Sequence, residues 1–123
     1  MNMIREIPLH IELRVYFREA DFLGAYFKRV WYDLDALGKY APDQHFVLVE
    51  YYKKQFVKDH LRISRQYKRV SKKKNSTYGL NMPVSIARIL WKNWQNEVIF
   101  DELKNVLGGI DGCLKNLNLE PHD

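Results

Sequence analysis

The chain has 123 residues, of which 46% are hydrophobic, and a formal net charge of +5. This length fits one domain, and the apolar share excludes a disordered chain. The longest unbroken apolar run has four residues (46–49), so the sequence predicts no membrane-spanning helix and no membrane partner. Residues 1–8 lack the apolar core of a signal peptide, and the single cysteine, Cys113, has no internal disulfide partner, so we expect a cytoplasmic protein.

The first predicted element is a helix from Pro8 to Leu37. Proline suits the first turn of a helix, and Gly38 suits its end. Apolar residues recur in this segment at steps of three or four, which is the period of one helix face: Leu9, Leu13, Phe17, Ala20, Leu23, Phe27, Val30, Leu34 and Leu37. A short N-terminal strand is the alternative for residues 9–17, because apolar and polar residues also alternate there. We favour the helix, since the helical period continues beyond residue 18.

A turn over residues 38–43 precedes a second long helix, predicted from about Gln44 to Val70. Its apolar face also follows steps of three or four: Val49, Tyr52, Phe56, His60, Ile63, Tyr67 and Val70. Two helices of similar length with a short connection favour a long antiparallel helical hairpin.

Residues 71–81 predict a basic loop, because three consecutive lysines precede a run of Asn, Ser and Thr, which disfavours a helix. A third helix is expected to start at Asn81 or Met82, and a fourth near Asp101. Three glycines interrupt the pattern of the fourth helix: Gly108, Gly109 and Gly112. The tail at about 119–123 has no pattern and is expected to be flexible.

These elements predict one all-α domain over residues 1–123, with a long helical hairpin and two shorter helices that close a bundle. Its expected core combines two large apolar residues from each helix: Phe17, Phe27, Phe56, Ile63, Leu90, Trp94, Leu107 and Leu114. Hairpin ends that the shorter helices leave uncovered would expose aromatic surface and favour a homodimer.

Charge is distributed unevenly along the chain. Residues 51–96 hold twelve bases and one acid, Asp59, whereas residues 1–50 and 97–123 both hold more acids than bases. A helical wheel places the cations of the second helix opposite its apolar face. With the lysines that follow, they form a candidate phosphate-binding row: Lys54, Lys58, Arg62, Arg65, Arg69, Lys72, Lys73 and Lys74. A helical wheel of the first helix likewise places Arg14, Arg18 and Arg29 opposite its apolar face, so they are candidates to extend this row.

A row of cations can bind the phosphates of RNA or DNA without reading their sequence. Tyr51, Tyr67 and Tyr78 lie among these cations and are candidates for stacking on unpaired bases. We therefore predict a non-enzymatic nucleic-acid-binding protein that acts alone or as a small subunit of a nucleoprotein complex. The alternative is a protein-interaction module, an inhibitor, adaptor or assembly subunit, whose cations contact an acidic protein surface or a second copy of the chain.

The remaining polar residues do not form a catalytic or metal-binding pattern. His60 has no second ligand three or four residues away, so we interpret it as a packing residue. Asp33 and Asp35 would point about 200° apart on a helix and could not share an ion. Cys113 has no nearby base in the sequence and is interpreted as a small buried side chain. We predict no cofactor and no metal.

Overall fold

The computed structural model describes residues 10–32, 40–69, 76–95 and 97–117, most of which are helical. Its elements are β1 (His10–Tyr16), α1 (Phe17–Tyr32), α2 (Pro42–Tyr51), a π-helical turn (Tyr52–Phe56), α3 (Val57–Arg69), β2 (Thr77–Pro83), α4 (Val84–Trp94) and α5 (Asp101–Asn116). The segment α2, the π-helical turn and α3 follow each other without a break. None of the described helices is both long and apolar enough to cross a membrane.

Residues 10–16 form a strand, so the helix preferred there is wrong and the alternative is correct, whereas Phe17 already begins α1. Along β1 the side chains of Ile11, Leu13 and Val15 are buried and those between them are exposed. This period of two belongs to a sheet that is covered on one face. Leu13 and Phe17 satisfy the helical period as well, which is why the sequence allows both interpretations.

The partner strand, β2, lies where a loop and the start of a helix were predicted. It pairs antiparallel with β1, and Leu13 lies opposite Leu80. Its alternate residues Tyr78, Leu80 and Met82 are buried beside those of β1. The predicted loop over 71–81 is therefore corrected from Thr77 onward, and α4 begins at Val84. Residues 70–75 lie outside the described residues.

The predicted second helix is confirmed over most of its length, but it contains an irregularity. In the π-helical turn the N–H of Val57 bonds to the carbonyl of Tyr52, five residues back. This i→i+5 pattern admits one extra residue and rotates the helix faces on its two sides relative to each other. Tyr51 and Phe56, five residues apart, consequently face the same core, with ring centroids separated by 6.3 Å.

The long antiparallel hairpin of two helices of similar length that was predicted is not clearly shown by the described residues. The first helix has 16 residues, because β1 takes its N-terminal part, and the predicted end at 33–38 lies outside the described residues. It packs against α2, α3 and α5. The molecule is therefore a helical bundle with a two-stranded antiparallel sheet, rather than an all-α hairpin.

The core agrees closely with the expected set. Six of its eight predicted members are buried: Phe27, Phe56, Ile63, Leu90, Trp94 and Leu114. Phe17 and Leu107 are partly buried at its margin. The sheet adds a layer that was not foreseen, since the buried side chains of both strands pack into the same cluster.

Helix α5 continues through its glycines, so they do not break the helix. A Cβ at Gly108 or Gly112 would meet no atom within 4 Å. At Gly24 of α1, by contrast, a Cβ would lie 3.1 Å from Cε2 of the buried Phe56 ring. The glycine of α1 therefore permits close helix packing, whereas Gly108 and Gly112 of α5 only weaken their helix.

We expect Gly108→Ala and Gly112→Ala to stabilise the protein by about 1 kcal/mol each, because alanine orders a helix at lower entropic cost than glycine. Thermal unfolding measures this as a higher Tm. Gly24→Ala is the matched control: it makes the same helical gain but presses on Phe56, and overpacking costs about 1–3 kcal/mol. Equal Tm values for Gly24→Ala and Gly108→Ala would contradict this account of α1.

Candidate nucleic-acid interface

The described part of the predicted cation row lies exposed on the helix that runs from α2 to α3. We call these residues the cationic face: Lys54, Lys58, Arg62, Arg65 and Arg69. On α3, Lys58, Arg65 and Arg69 project within about 40° of each other at ~100° per residue, and they span about 16 Å at ~1.5 Å per residue. The other predicted members, Lys72, Lys73 and Lys74, lie outside the described residues.

Three residues of the cationic face have no acidic partner. In the part of the chain that the structure describes, no carboxylate lies within 4.0 Å of Lys58, Arg65 or Arg69. Lys54 pairs with Glu50 of the preceding turn at 2.9 Å. The described acids therefore leave the middle and end of this face open to an external anion.

Two acids of the C-terminal segment, Glu102 and Asp111, pair elsewhere. The Nε of Arg18 on α1 donates to Oε2 of Glu102 at 2.6 Å, which holds the pKa of this carboxyl below its usual value. Asp111 accepts from the indole Nε1–H of Trp91 at 2.8 Å, and this bond together with Lys115 lowers its pKa. These contacts tie α5 to α1 and α4 and leave α3 uncovered by these acids.

Asp59, the single acid of the basic segment, lies beside Arg62 of the cationic face, with its Oδ1 3.9 Å from Nη2 of that residue. Burial raises the pKa of its carboxyl, and the nearby Arg62 only partly offsets this. Its Oδ2 is buried without a hydrogen-bond partner among the described atoms. Its charge acts on Tyr51, whose pKa is raised mainly by burial and further by Asp59. The carboxyl therefore faces the protein interior.

Arg62 joins the cationic face to the sheet. Its Nη2 donates to the carbonyl of Gly79 in β2 at 2.8 Å. About two turns earlier, Nε2 of Gln55 donates to the carbonyl of Asn81 at 3.0 Å. These bonds give hydrogen-bond donors to two backbone carbonyls of β2, and they hold the helix beside the sheet.

A polar cleft of about 410 Å³ lies between α3 and the open face of the sheet. The exposed or half-buried residues of the two strands form its floor: Glu12, Arg14, Thr77, Gly79 and Asn81. Arg62 and Gln66 line it from α3. The cleft is thus continuous with the cationic face, and Arg62 belongs to both.

Arg14 lies flat on the floor of the cleft. Its Nη2 donates to the carbonyl of Thr77 at 2.8 Å and its Nε to Oγ1 of the same residue at 3.3 Å. Its Nη1 is 3.8 Å from Oε2 of Glu12. A Cβ at Gly79 would lie 2.7 Å from that carboxylate oxygen and 3.3 Å from Nη1, so both side chains depend on the glycine between them.

The prediction that three tyrosines stack on bases is wrong for Tyr51 and Tyr78, which are buried, and Tyr67 is half-buried. Tyr51 and Tyr78 are only 6% and 9% exposed. Tyr67 is stacked on Phe17, with ring centroids 4.1 Å apart. All three belong to apolar faces that fold inward. The exposed aromatic residue on this side is Tyr16, which is 44% exposed and shares the open face of the sheet with Arg14.

The cations predicted to extend the row from the first helix are separated by the fold. Arg14 is on β1 and lies in the cleft, whereas Arg18 is directed to Glu102 of α5. Arg29 is exposed on α1. The cleft could not be predicted from the sequence, because the residues of its floor belong to two strands more than sixty positions apart in the chain. The pairing of Arg14 with Gly79 shows this separation.

The packing interpretation of His60 agrees with the structure. Its ring lies between those of Phe17 and Phe56, with centroids 6.3 and 5.7 Å away, and its Nε2 is 2.6 Å from Oδ1 of Asp21. Residues 10–32, 40–69, 76–95 and 97–117 contain no group of three His, Cys, Asp or Glu side chains able to hold a metal. Cys113 is half-buried, and burial raises the pKa of its thiol.

Comparison with protein families, with curated proteins and with solved structures gave no match. What this protein binds must therefore be inferred from the charge and shape of its own surface. The cationic face and the cleft are two features of the described residues that offer N–H donors to a ligand.

Proposed function

We propose that this protein binds nucleic acid through backbone phosphates and has no enzymatic activity of its own. The observation that carries the proposal is the row formed by Lys58, Arg65 and Arg69, aligned on one side of α3 without acidic partners among the described residues. Like charges one turn apart, such as Arg65 and Arg69, destabilise a helix. A polyanion removes this repulsion, and its binding is driven by the release of condensed counterions.

Arginine suits this role better than lysine would. The guanidinium presents several N–H donors in one plane and can bind a phosphate with two of them. Arg62 is already oriented by the carbonyl of Gly79, so it loses less side-chain entropy when it contacts a ligand. The cationic face therefore combines one fixed guanidinium with two that can adapt to the course of the backbone.

The second candidate is a protein-interaction module. Val57 and Leu61 are exposed and border the cationic face on the side of α1. Apolar residues beside cations fit an acidic protein surface that also has an apolar core, including the surface of a second copy. Val98 and Phe100, exposed before α5, add apolar surface elsewhere on the molecule.

The test is binding of labelled RNA and DNA oligonucleotides over a salt series. We expect the logarithm of the affinity to fall linearly with the logarithm of the salt concentration, with a slope of about −0.7 per phosphate contact for a single strand and −0.9 for a duplex. Three to five such contacts are expected from the cationic face. Absence of binding at low salt, or an affinity independent of salt, would contradict the proposal. Light scattering and pull-downs with and without nuclease then test the second candidate.

A further inference from the structure

The lining of the cleft indicates which part of a nucleic acid it can receive. Two guanidinium groups, those of Arg14 and Arg62, lie on either side of Gly79 and are held by backbone carbonyls. The carboxylate of Glu12 lies on the same floor, 3.8 Å from Arg14. A phosphate would be repelled by that carboxylate, whereas a nucleobase edge offers both N–H donors and acceptors. The floor therefore fits a base better than a phosphate.

The position of the cleft relative to the cationic face supports the same assignment. Arg62 stands at the rim, with Gly79 on one side and the exposed Arg65 on the other. A phosphate bound at this rim brings the attached sugar and base over the cleft. The volume, about 410 Å³, is large enough for one base with its sugar but is bounded by the wall of α3.

An exposed aromatic ring borders this site. Tyr16 lies on the open face of the sheet opposite Thr77, next to Arg14 in the alternation of β1. A tyrosine that is 44% exposed on a sheet face offers a stacking surface to an unpaired base. In a duplex the bases are already paired and stacked, and bringing one out costs a few kcal/mol.

We propose that the ligand is a single-stranded nucleic acid, with its phosphates on the cationic face and one unpaired base in the cleft. This inference rests on the proposed function and specifies the form of its ligand. Gly79 has a defined role in it: the missing side chain lets Glu12 and Arg14 lie on the floor and leaves room above them.

The experiment compares the affinity of the full chain for a short single-stranded RNA, a single-stranded DNA and the corresponding duplex at one salt concentration. We expect either single strand to bind at least about tenfold more tightly than the duplex, because an unpaired base can enter the cleft and stack on Tyr16 beside it. Gly79→Ala should weaken single-strand binding by about tenfold and leave the salt slope unchanged, since it removes no cation. Gly108→Ala is the matched control and should bind as the native protein does, because its added methyl group meets open space.

Two further variants keep the test decisive if Gly79→Ala perturbs the sheet. Tyr16→Ala and Arg14→Gln should each weaken single-strand binding by about tenfold and leave duplex binding within about twofold of the native value. Equal affinity for single strand and duplex, or cleft variants that bind as the native protein does, would overturn the inference while the proposed function stands. Failure of every oligonucleotide to bind at low salt would overturn both.

Discussion

Replacing Arg65 and Arg69 by glutamate is expected to weaken nucleic-acid binding about 100-fold at 0.1 M salt. Each lost phosphate contact removes about 0.7–0.9 from the salt slope, so two losses cost about 25-fold or more at this concentration, and two new negative charges add repulsion. Both side chains are exposed and have no acidic partner in the described chain, so the variant should stay folded. Fluorescence anisotropy with a labelled oligonucleotide measures the affinity, and circular dichroism measures the helicity.

A matched control separates this local effect from the loss of overall charge. Lys104→Glu with Lys115→Glu makes the same change in net charge on α5, where both lysines are exposed beside acids of their own helix. We expect this variant to lose less than about fivefold in affinity, which is the effect of weaker long-range attraction. Equal losses in the two variants would show that the cationic face is not the binding surface.

The helical part of this fold could be predicted because it depends on local periodicity. Apolar residues recur every three or four positions in the helix from Pro42 to Arg69 and in the central parts of α4 and α5. A helix brings residues at this spacing to one face. The π-helical turn within the first of them was not predicted. It arises where Tyr51 and Phe56 both pack inward, a requirement of the tertiary core that leaves no local signal.

The sheet was harder to predict because its signal is short and its strands are far apart in the chain. The strand β2 contains Gly79, Asn81 and Pro83, which all lower β-propensity, and the lysines before it favoured a loop. The alternation of Tyr78, Leu80 and Met82 was the one available signal. Without β2, a lone strand at residues 10–16 had no partner, so one missed strand caused the other to be assigned to a helix.

In the candidate site, too, the features within one helix could be predicted and those that depend on strand pairing could not. The cationic face was predicted in its described part because all of its members belong to one helix, and a wheel places them correctly. The cleft was not predicted, since Arg14 and Gly79 meet only through strand pairing. The stacking role assigned to Tyr51 and Tyr78 failed for a related reason: proximity in sequence to cations does not give exposure, and Tyr78 faces the core from the strand that was missed.

The largest loss of stability is expected for Phe56→Ala. This ring is 1% exposed and lies at the junction of α1 and the π-helical turn, against the rings of Phe27 and His60 and the backbone of Gly24. Removing a buried phenyl group costs about 3–5 kcal/mol, because the cavity collapses only partly. That is a large share of the ~5–15 kcal/mol that stabilises a domain of this size.

Phe46→Ala is the matched control for this substitution, because it makes the same chemical change earlier in the same continuous helix, where the ring is 64% exposed. We expect it to change the free energy of unfolding by no more than about 0.5 kcal/mol in urea titrations. Similar losses for the two variants would contradict the described packing of α1 on α3. Since this packing turns the apolar side of α3 inward, it also directs Arg65 and Arg69 to solvent. Phe56→Ala removes no cation. The variant molecules that remain folded should therefore still bind nucleic acid, and their affinity should fall only if α3 no longer holds Arg65 and Arg69 toward solvent.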